Sequence, residues 1–143
     1  MMNDRKIKFR GKRVDNNEWL YGYLVFSEDY IFDYSEIIYI PYIIPIDNFN
    51  LKDYKEYRID EKTVGQYTGL KDKNGKEVYE GDIVKSPYTN DDSLYIIKYW
   101  KFGFMLQGEK SGDYYDFIGD LLGTLEVIGN IYEKGDVSRE TSN

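Results

Sequence analysis

The chain has 143 residues, a length that fits one domain, and it contains no cysteine and no histidine. These two absences exclude disulfides, thiolate metal sites, a cysteine nucleophile and every Ser-His-Asp arrangement. Aromatic residues make up 17% of the chain, and 16 residues are tyrosines. Because disordered chains are poor in aromatics, this composition predicts a folded protein.

The net charge of −7 is unevenly distributed along the chain. The first 13 residues carry one acid, Asp4, and six basic side chains: Arg5, Lys6, Lys8, Arg10, Lys12 and Arg13. The rest of the chain is therefore acidic, and an acidic body with a basic edge is compatible with self-association. The N-terminus lacks the apolar run of a signal peptide, and the longest apolar stretch, residues 37–46, contains two prolines. We expect a cytoplasmic protein.

The first half of the chain predicts β-strands. Ile7 and Phe9 alternate with basic residues, which is the pattern of a half-buried strand with its apolar residues inward. Residues 19–26 predict a second strand that pairs with the first as an antiparallel hairpin, and Gly22 within it indicates a bulge or a close crossing. Residues 30–32 and 37–44 predict two further β segments.

The second half also predicts strands. Asn74-Gly75 is a strong tight-turn signal, and a strand is expected to begin at Asp82. Residues 94–100 and 103–107 predict a hairpin, and residues 114–118 and 124–128 predict two more strands. No stretch of ordinary helical length shows a capped 3.6-residue period. We therefore predict an all-β fold with a single domain over residues 1–134, a polar tail over 135–143, and a small SH3-like barrel in the C-terminal half.

Three segments together resemble the YopX family of phage and prophage proteins. They are residues 7–12 with Trp19, Tyr21 and Gly22; residues 65–84, which read GQYTGLKDKNGKEVYEGDIV; and residues 127–133, which read VIGNIYE. The resemblance implies a β-rich fold, an oligomer and the cytoplasm of a bacterial host. It implies no activity and no site residues, because the family has no established function.

The basic N-terminal strand is a candidate for binding an anionic surface. Lys8, Arg10 and Lys12 would lie on one face of a strand and could follow the phosphates of a nucleic acid. Two other interpretations stay open. The cations could form a solvated strand face that discourages edge-to-edge pairing, or they could bind the acidic body of a neighbouring subunit.

Three carboxylates, Glu77, Glu80 and Asp82, are close in the sequence and could bind Mg²⁺ through oxygen ligands, as in a metal-dependent hydrolase. No motif of nuclease spacing accompanies them. The favoured interpretation is a turn in which Asp82 accepts hydrogen bonds from backbone N–H groups. We predict no metal, no cofactor and no catalytic residue.

The excess of tyrosine favours protein interfaces and strand packing. Trp19 and Tyr21 are the candidate interface anchors. The leading hypothesis is a phage-encoded, non-enzymatic module that forms a homo-oligomer or binds a host protein. The alternatives are a nucleic-acid-binding protein, in which tyrosines stack bases beside the basic strand, and the carboxylate–metal hydrolase.

Overall fold

The computed structural model describes residues 6–31, 36–46, 51–86, 93–101, 103–116 and 124–133. Its strands are β1 (Phe9–Lys12), β2 (Trp19–Ile31), β3 (Glu36–Pro45), β4 (Gly65–Lys71), β5 (Glu77–Tyr79), β6 (Asp82–Lys85), β7 (Leu94–Trp100), β8 (Gly103–Gly108), β9 (Tyr114–Asp116) and β10 (Glu126–Asn130). Two 3₁₀-helices, Leu51–Tyr57 and Glu61–Thr63, are the helical segments of these ranges. The predicted all-β fold is confirmed.

The chain divides into two compact units, residues 1–66 and residues 67–143. β4 begins in the first unit and ends in the second. The prediction of a single domain over residues 1–134 stays a prediction, and the tail over 135–143 lies outside the described residues.

The first unit is an antiparallel sheet in which β1 lies between β2 and the start of β4. The predicted β1–β2 hairpin is confirmed, with Arg10 opposite Tyr21 and Lys12 opposite Trp19. β2 continues past β1 and pairs with β3 over ten positions, from Gly22–Pro45 to Ile31–Glu36. We call residues 22–31 and 36–45 the β2–β3 arm.

The predicted burial of β1 is wrong. Ile7 precedes the strand and is 59% exposed, whereas Arg10 is only 4% exposed. The guanidinium carbon of Arg10 lies 4.7 Å from the centre of the Trp19 ring, so an aromatic side chain on β2 stabilises the buried cation. The alternation of apolar and basic residues predicted that the apolar side chains point inward. It could not predict the burial of Arg10, because the pattern contains no information about the cross-strand partner Trp19.

Residues 58–60 link the end of β1 to β3 within the first unit. The N–H of Asp60 donates to the carbonyl of Lys12 (2.8 Å), and the N–H of Ile59 donates to the carbonyl of Pro41 (3.2 Å). Arg58 forms an isolated antiparallel bridge with Tyr42. Ile59 is buried and packs against Gly11, where an added Cβ would lie 2.7 Å from its Cδ1 atom.

The second unit contains a five-stranded antiparallel sheet in the order β10-β6-β7-β8-β9. The predicted hairpin of residues 94–100 and 103–107 is confirmed as β7 and β8. β9 begins at Tyr114 as predicted, although residues 117 and 118 lie outside the described residues, and β10 begins two residues later than predicted. The core of this unit consists of Val78, Val84, Ile97, Leu106 and Leu125. Closure into an SH3-like barrel stays a prediction.

Candidate functional site

The far half of the β2–β3 arm exposes a cluster of large apolar side chains. Phe26 is 51% exposed, Tyr30 49%, Ile37 48% and Tyr39 60%. Tyr30 lies opposite Ile37, and Tyr39 lies opposite Glu28. Glu28 is two residues from Phe26 along β2. Because opposed residues and residues two apart on a strand share a face, these four side chains lie on one face of the arm. We call them the arm patch.

The base of the arm is buried, in contrast to its far half. Ile43 is fully buried, and the ring of Tyr42 packs against that of Tyr54 at 5.9 Å. The arm is therefore fixed at one end by the core of the first unit. At the other end its two strands pair with each other, and a two-stranded ribbon by itself is only marginally stable in water.

The charged residues of the far half of the arm are acidic. Glu28, Asp29 and Glu36 are all exposed, and the strand pairing places Asp29 opposite Ile38 and Glu36 opposite Ile31. Lys6, before β1, is also exposed. The arm therefore presents negative charge to solvent, and Lys6 presents positive charge.

A groove of about 440 Å³ lies beside the outer edge of β3. Ile38, Tyr39 and Ile40 form one wall, and Val14 and Arg58 are among the residues that form the other. The groove runs along the edge of β3 that does not pair with β2.

The predicted anionic-surface residues share one face, but this face is not open. Arg10 is buried, and Lys12 lies over the same Trp19 ring, with its Nζ atom 5.5 Å from the ring centre. Lys8 is half-buried and precedes β1. Arg13, another of the six basic residues near the N-terminus, forms an ion pair of 2.6 Å with Asp15. Binding of an anionic surface by Lys8, Arg10 and Lys12 stays a prediction.

The two predicted interface anchors differ in their environments. Trp19 is half-buried beneath the two cations, whereas Tyr21 is 46% exposed at the base of β2. Their role as anchors stays a prediction. The arm patch was missed by the sequence interpretation, because residues 27–29 interrupt the apolar pattern and separated one long strand into two predicted segments.

Many tyrosines of the second unit contact other aromatic rings. Trp100 and Tyr114 are stacked with their centres 5.0 Å apart, and Lys101 lies over the Trp100 ring at 5.8 Å. Tyr95 meets Tyr115 edge to face at 5.7 Å. These contacts between rings agree with the interpretation of tyrosine as a packing residue of strands.

The predicted turn at Glu80-Gly81-Asp82 is present, and Asp82 has the predicted structural role. Its side chain is buried, and its Oδ2 atom accepts a hydrogen bond of 2.8 Å from the N–H of Tyr79. The Tyr79 hydroxyl reaches Glu77 at 3.4 Å. No group of three or more acidic side chains with the geometry of a metal site occurs among the described residues.

We expect Asp82→Ala to lower the free energy of unfolding by about 2 kcal/mol, because the buried Tyr79 N–H loses its acceptor. We also expect millimolar Mg²⁺ to leave the melting temperature of the wild-type protein unchanged. Urea denaturation and differential scanning fluorimetry measure the two effects. A melting temperature that rises with Mg²⁺, and does so only when Asp82 is present, would instead establish metal binding.

Asp72 is a structural carboxylate that the sequence interpretation missed. Its side chain is buried, with 5% of the residue exposed. The Oδ1 atom accepts hydrogen bonds from the N–H groups of Asn74 (2.8 Å) and Lys76 (2.9 Å). The Oδ2 atom accepts one from the N–H of Val127 (2.9 Å). Burial raises the pKa of Asp72, but the three backbone hydrogen bonds outweigh burial, and the pKa lies below its usual value. This side chain joins the Asn74-Gly75 turn to β10.

Comparison with known proteins identifies the family. The family model described as YopX protein matches residues 8–136. The chain belongs to the YopX family. The crystal structure of protein EF1440 from Enterococcus faecalis is similar in fold to this YopX chain, with a TM-score of 0.52 and 24% sequence identity over 92% of this chain and 97% of that chain. No curated protein matches the chain.

These findings confirm the predicted family but name no activity for it. In the described ranges of the YopX chain, no helix has the length and the apolar character needed to cross a membrane. Among the described residues, the arm patch is the surface that suggests a function.

Proposed function

We propose that this YopX protein is a non-enzymatic module that associates with further copies of itself in the cytoplasm of a bacterium carrying the phage or prophage. The proposed contact surface is the β2–β3 arm. The observation that supports it is the arm patch, in which four large apolar side chains around Glu28, on one face of the arm, are each about half exposed. Single exposed apolar residues are ordinary, but a contiguous group marks an interaction surface.

Burial of the arm patch would provide a substantial driving force. Removing the exposed halves of four such side chains from water contributes about 3–6 kcal/mol. Burial would also stabilise the arm, whose far half pairs only with itself among the described strands. Association and ordering of the arm would thus support each other.

The distribution of charge favours a second copy as the partner. The arm presents Glu28, Asp29 and Glu36, whereas Lys6 is exposed at the start of the chain. Each copy therefore carries both signs of charge, which suits a self-complementary association. The nucleic-acid alternative receives less support, because Arg10 is buried and Arg13 is paired with Asp15.

We expect wild-type protein to show a molar mass above that of the monomer at micromolar concentration, and Phe26→Lys to shift it towards the monomer. The substitution replaces the large apolar side chain at the base end of the arm patch with a charge and would raise the dissociation constant about 100-fold or more. Light scattering coupled to size-exclusion chromatography measures the molar mass, and sedimentation velocity measures the dissociation constant.

Ile46→Lys is the matched control, because Ile46 is 45% exposed but lies beyond the end of β3. This variant should associate like the wild type. A wild-type protein that stays monomeric at all concentrations tested would refute self-association and leave a host protein as the partner to seek.

A further inference from the structure

The outer edge of β3 has backbone groups that are open to pairing. The N–H of Ile59 donates to the carbonyl of Pro41 on this edge. Because the backbone groups of every second residue point to the same side of a strand, those of Ile37 and Tyr39 also point outward. Among the described residues, β3 is paired on this edge only near Tyr42, through its bridge with Arg58.

Between Glu36 and Ile40, before Pro41, the described part of this edge lacks the usual protection against strand addition. Natural edge strands carry lysine, proline, bulges or a covering loop. Residues 36–40 of β3 read EIIYI, and the pairing of β3 with β2 shows no register shift. The groove of about 440 Å³ beside this edge has room for part of another strand.

We propose that two copies pair edge to edge through β3, antiparallel and about a two-fold axis beside Ile38. This inference rests on the proposed self-association and adds an edge contact to it: Ile37 and Tyr39 meet the second copy, and Phe26 and Tyr30, on β2, stay on the face of the joined sheet for the face contact of the arm patch. With Ile37 of one copy opposite Tyr39 of the other, the outward N–H and C=O groups form about four hydrogen bonds between the copies. The β2–β3 arms of the two copies thereby join into one four-stranded sheet.

Charge complementarity identifies a second copy as the occupant of this edge. In this register Glu36 lies opposite Ile40 of the second copy, and Arg58 of the second copy already lies opposite its own Tyr42. Glu36 and that Arg58 are then neighbours along the same edge, about 7 Å apart at Cα and on the same face of the sheet. Both side chains are exposed in the single chain, and the two-fold axis creates the ion pair twice.

In this register the pairing between the copies and the bridge at Arg58 occupy successive parts of the same edge of β3. β3 begins at Glu36, so its pairing with the second copy ends before the position that residues 58 and 59 of that copy occupy. Ile38 meets Ile38 of the second copy across the axis, and this contact buries an apolar side chain that is half-buried in the single chain.

Charge reversal tests this geometry. We expect Glu36→Arg and Arg58→Glu, made separately, each to raise the dissociation constant about 10-fold, because each places like charges together twice per dimer. The double variant restores opposite charges and should return to within about 3-fold of the wild-type dissociation constant. Sedimentation velocity on each variant gives these constants, and circular dichroism checks that each variant is folded.

The outcomes separate this inference from the proposed function. If neither single variant weakens association, or if the double variant does not recover it, edge pairing through β3 is wrong. Self-association through the arm still stands in that case, provided that the wild type is oligomeric and Phe26→Lys dissociates it. A monomeric wild type would refute both.

Discussion

Gly22→Ala is expected to lower the free energy of unfolding by about 3 kcal/mol or more and to disrupt the base of the β2–β3 arm. An added Cβ would overlap the carbonyl oxygen of Ile44 and would lie 2.8 Å from its carbonyl carbon and 3.0 Å from the Cα of Pro45. All three atoms belong to the backbone of β3, so no flexible side chain can move to make room. The strands must separate instead.

Urea denaturation followed by circular dichroism measures the loss of stability, and Gly103→Ala is the matched control. Gly103 begins β8, and an added Cβ there meets no atom within 4 Å. We expect this control to change the stability by no more than about 1 kcal/mol. If Gly22→Ala were as stable as Gly103→Ala, the close crossing of β2 and β3 would not exist in solution.

The same substitution links the arm to the proposed association. Because Gly22 lies opposite Pro45, disruption there removes the fixed base on which the far half of the arm depends. Gly22→Ala should therefore weaken self-association as well as folding, although Gly22 is not part of the arm patch. Gly103→Ala should leave association unchanged.

The elements that depend on local signals were predictable from the sequence. β7 and β8 were predicted nearly to the residue, because residues 94–100 are rich in aromatic and β-branched side chains and a glycine-containing turn connects them to the next strand. The close approach at Gly22 was also predictable, since a glycine inside an aromatic, β-branched strand indicates a bulge or a neighbouring backbone too near for a side chain.

The features that depend on distant partners were not predictable. Arg10 looked like a surface residue because the sequence does not reveal that it lies over Trp19, its diagonal neighbour on the next strand. The continuity of β2 through residues 27–29 was missed because these residues are polar. A strand in an exposed two-stranded arm can contain such residues, since neither of its faces has to pack on a core. The arm patch was missed for the same reason.

Asp72 is the clearest case of a residue whose role is invisible in its local sequence. Next to Asn74-Gly75 it looks like an ordinary turn residue, and two of its hydrogen bonds do close that turn. The third goes to Val127, which is 55 residues away in the chain. Only the fold brings this acceptor to β10, so only the structure identifies Asp72 as a link between the turn and the sheet.

We expect Asp72→Asn to lower the free energy of unfolding by about 3 kcal/mol at neutral pH. An asparagine offers one acceptor oxygen, and its NH₂ group would face at least one of the backbone N–H groups that now donate to the carboxylate. One or more buried N–H groups would lose an acceptor, and the charge that strengthens the remaining bonds would be absent. Urea denaturation at pH 7 measures the loss, and Asp113→Asn, at an exposed position, is the control that should change little.

The effect of Asp72→Asn should depend on pH with a defined sign. Because the folded state lowers the pKa of Asp72, the ionised carboxylate stabilises the fold fully above the unfolded pKa of about 4. This contribution is lost as the pH falls below about 4 and through the folded pKa. The stability difference between wild type and Asp72→Asn should therefore be constant from pH 7 to about pH 5 and should narrow as the pH approaches about 3. A difference that stays constant down to the lowest pH at which both proteins fold would mean that the carboxylate charge contributes nothing, and that the three hydrogen bonds act as neutral ones.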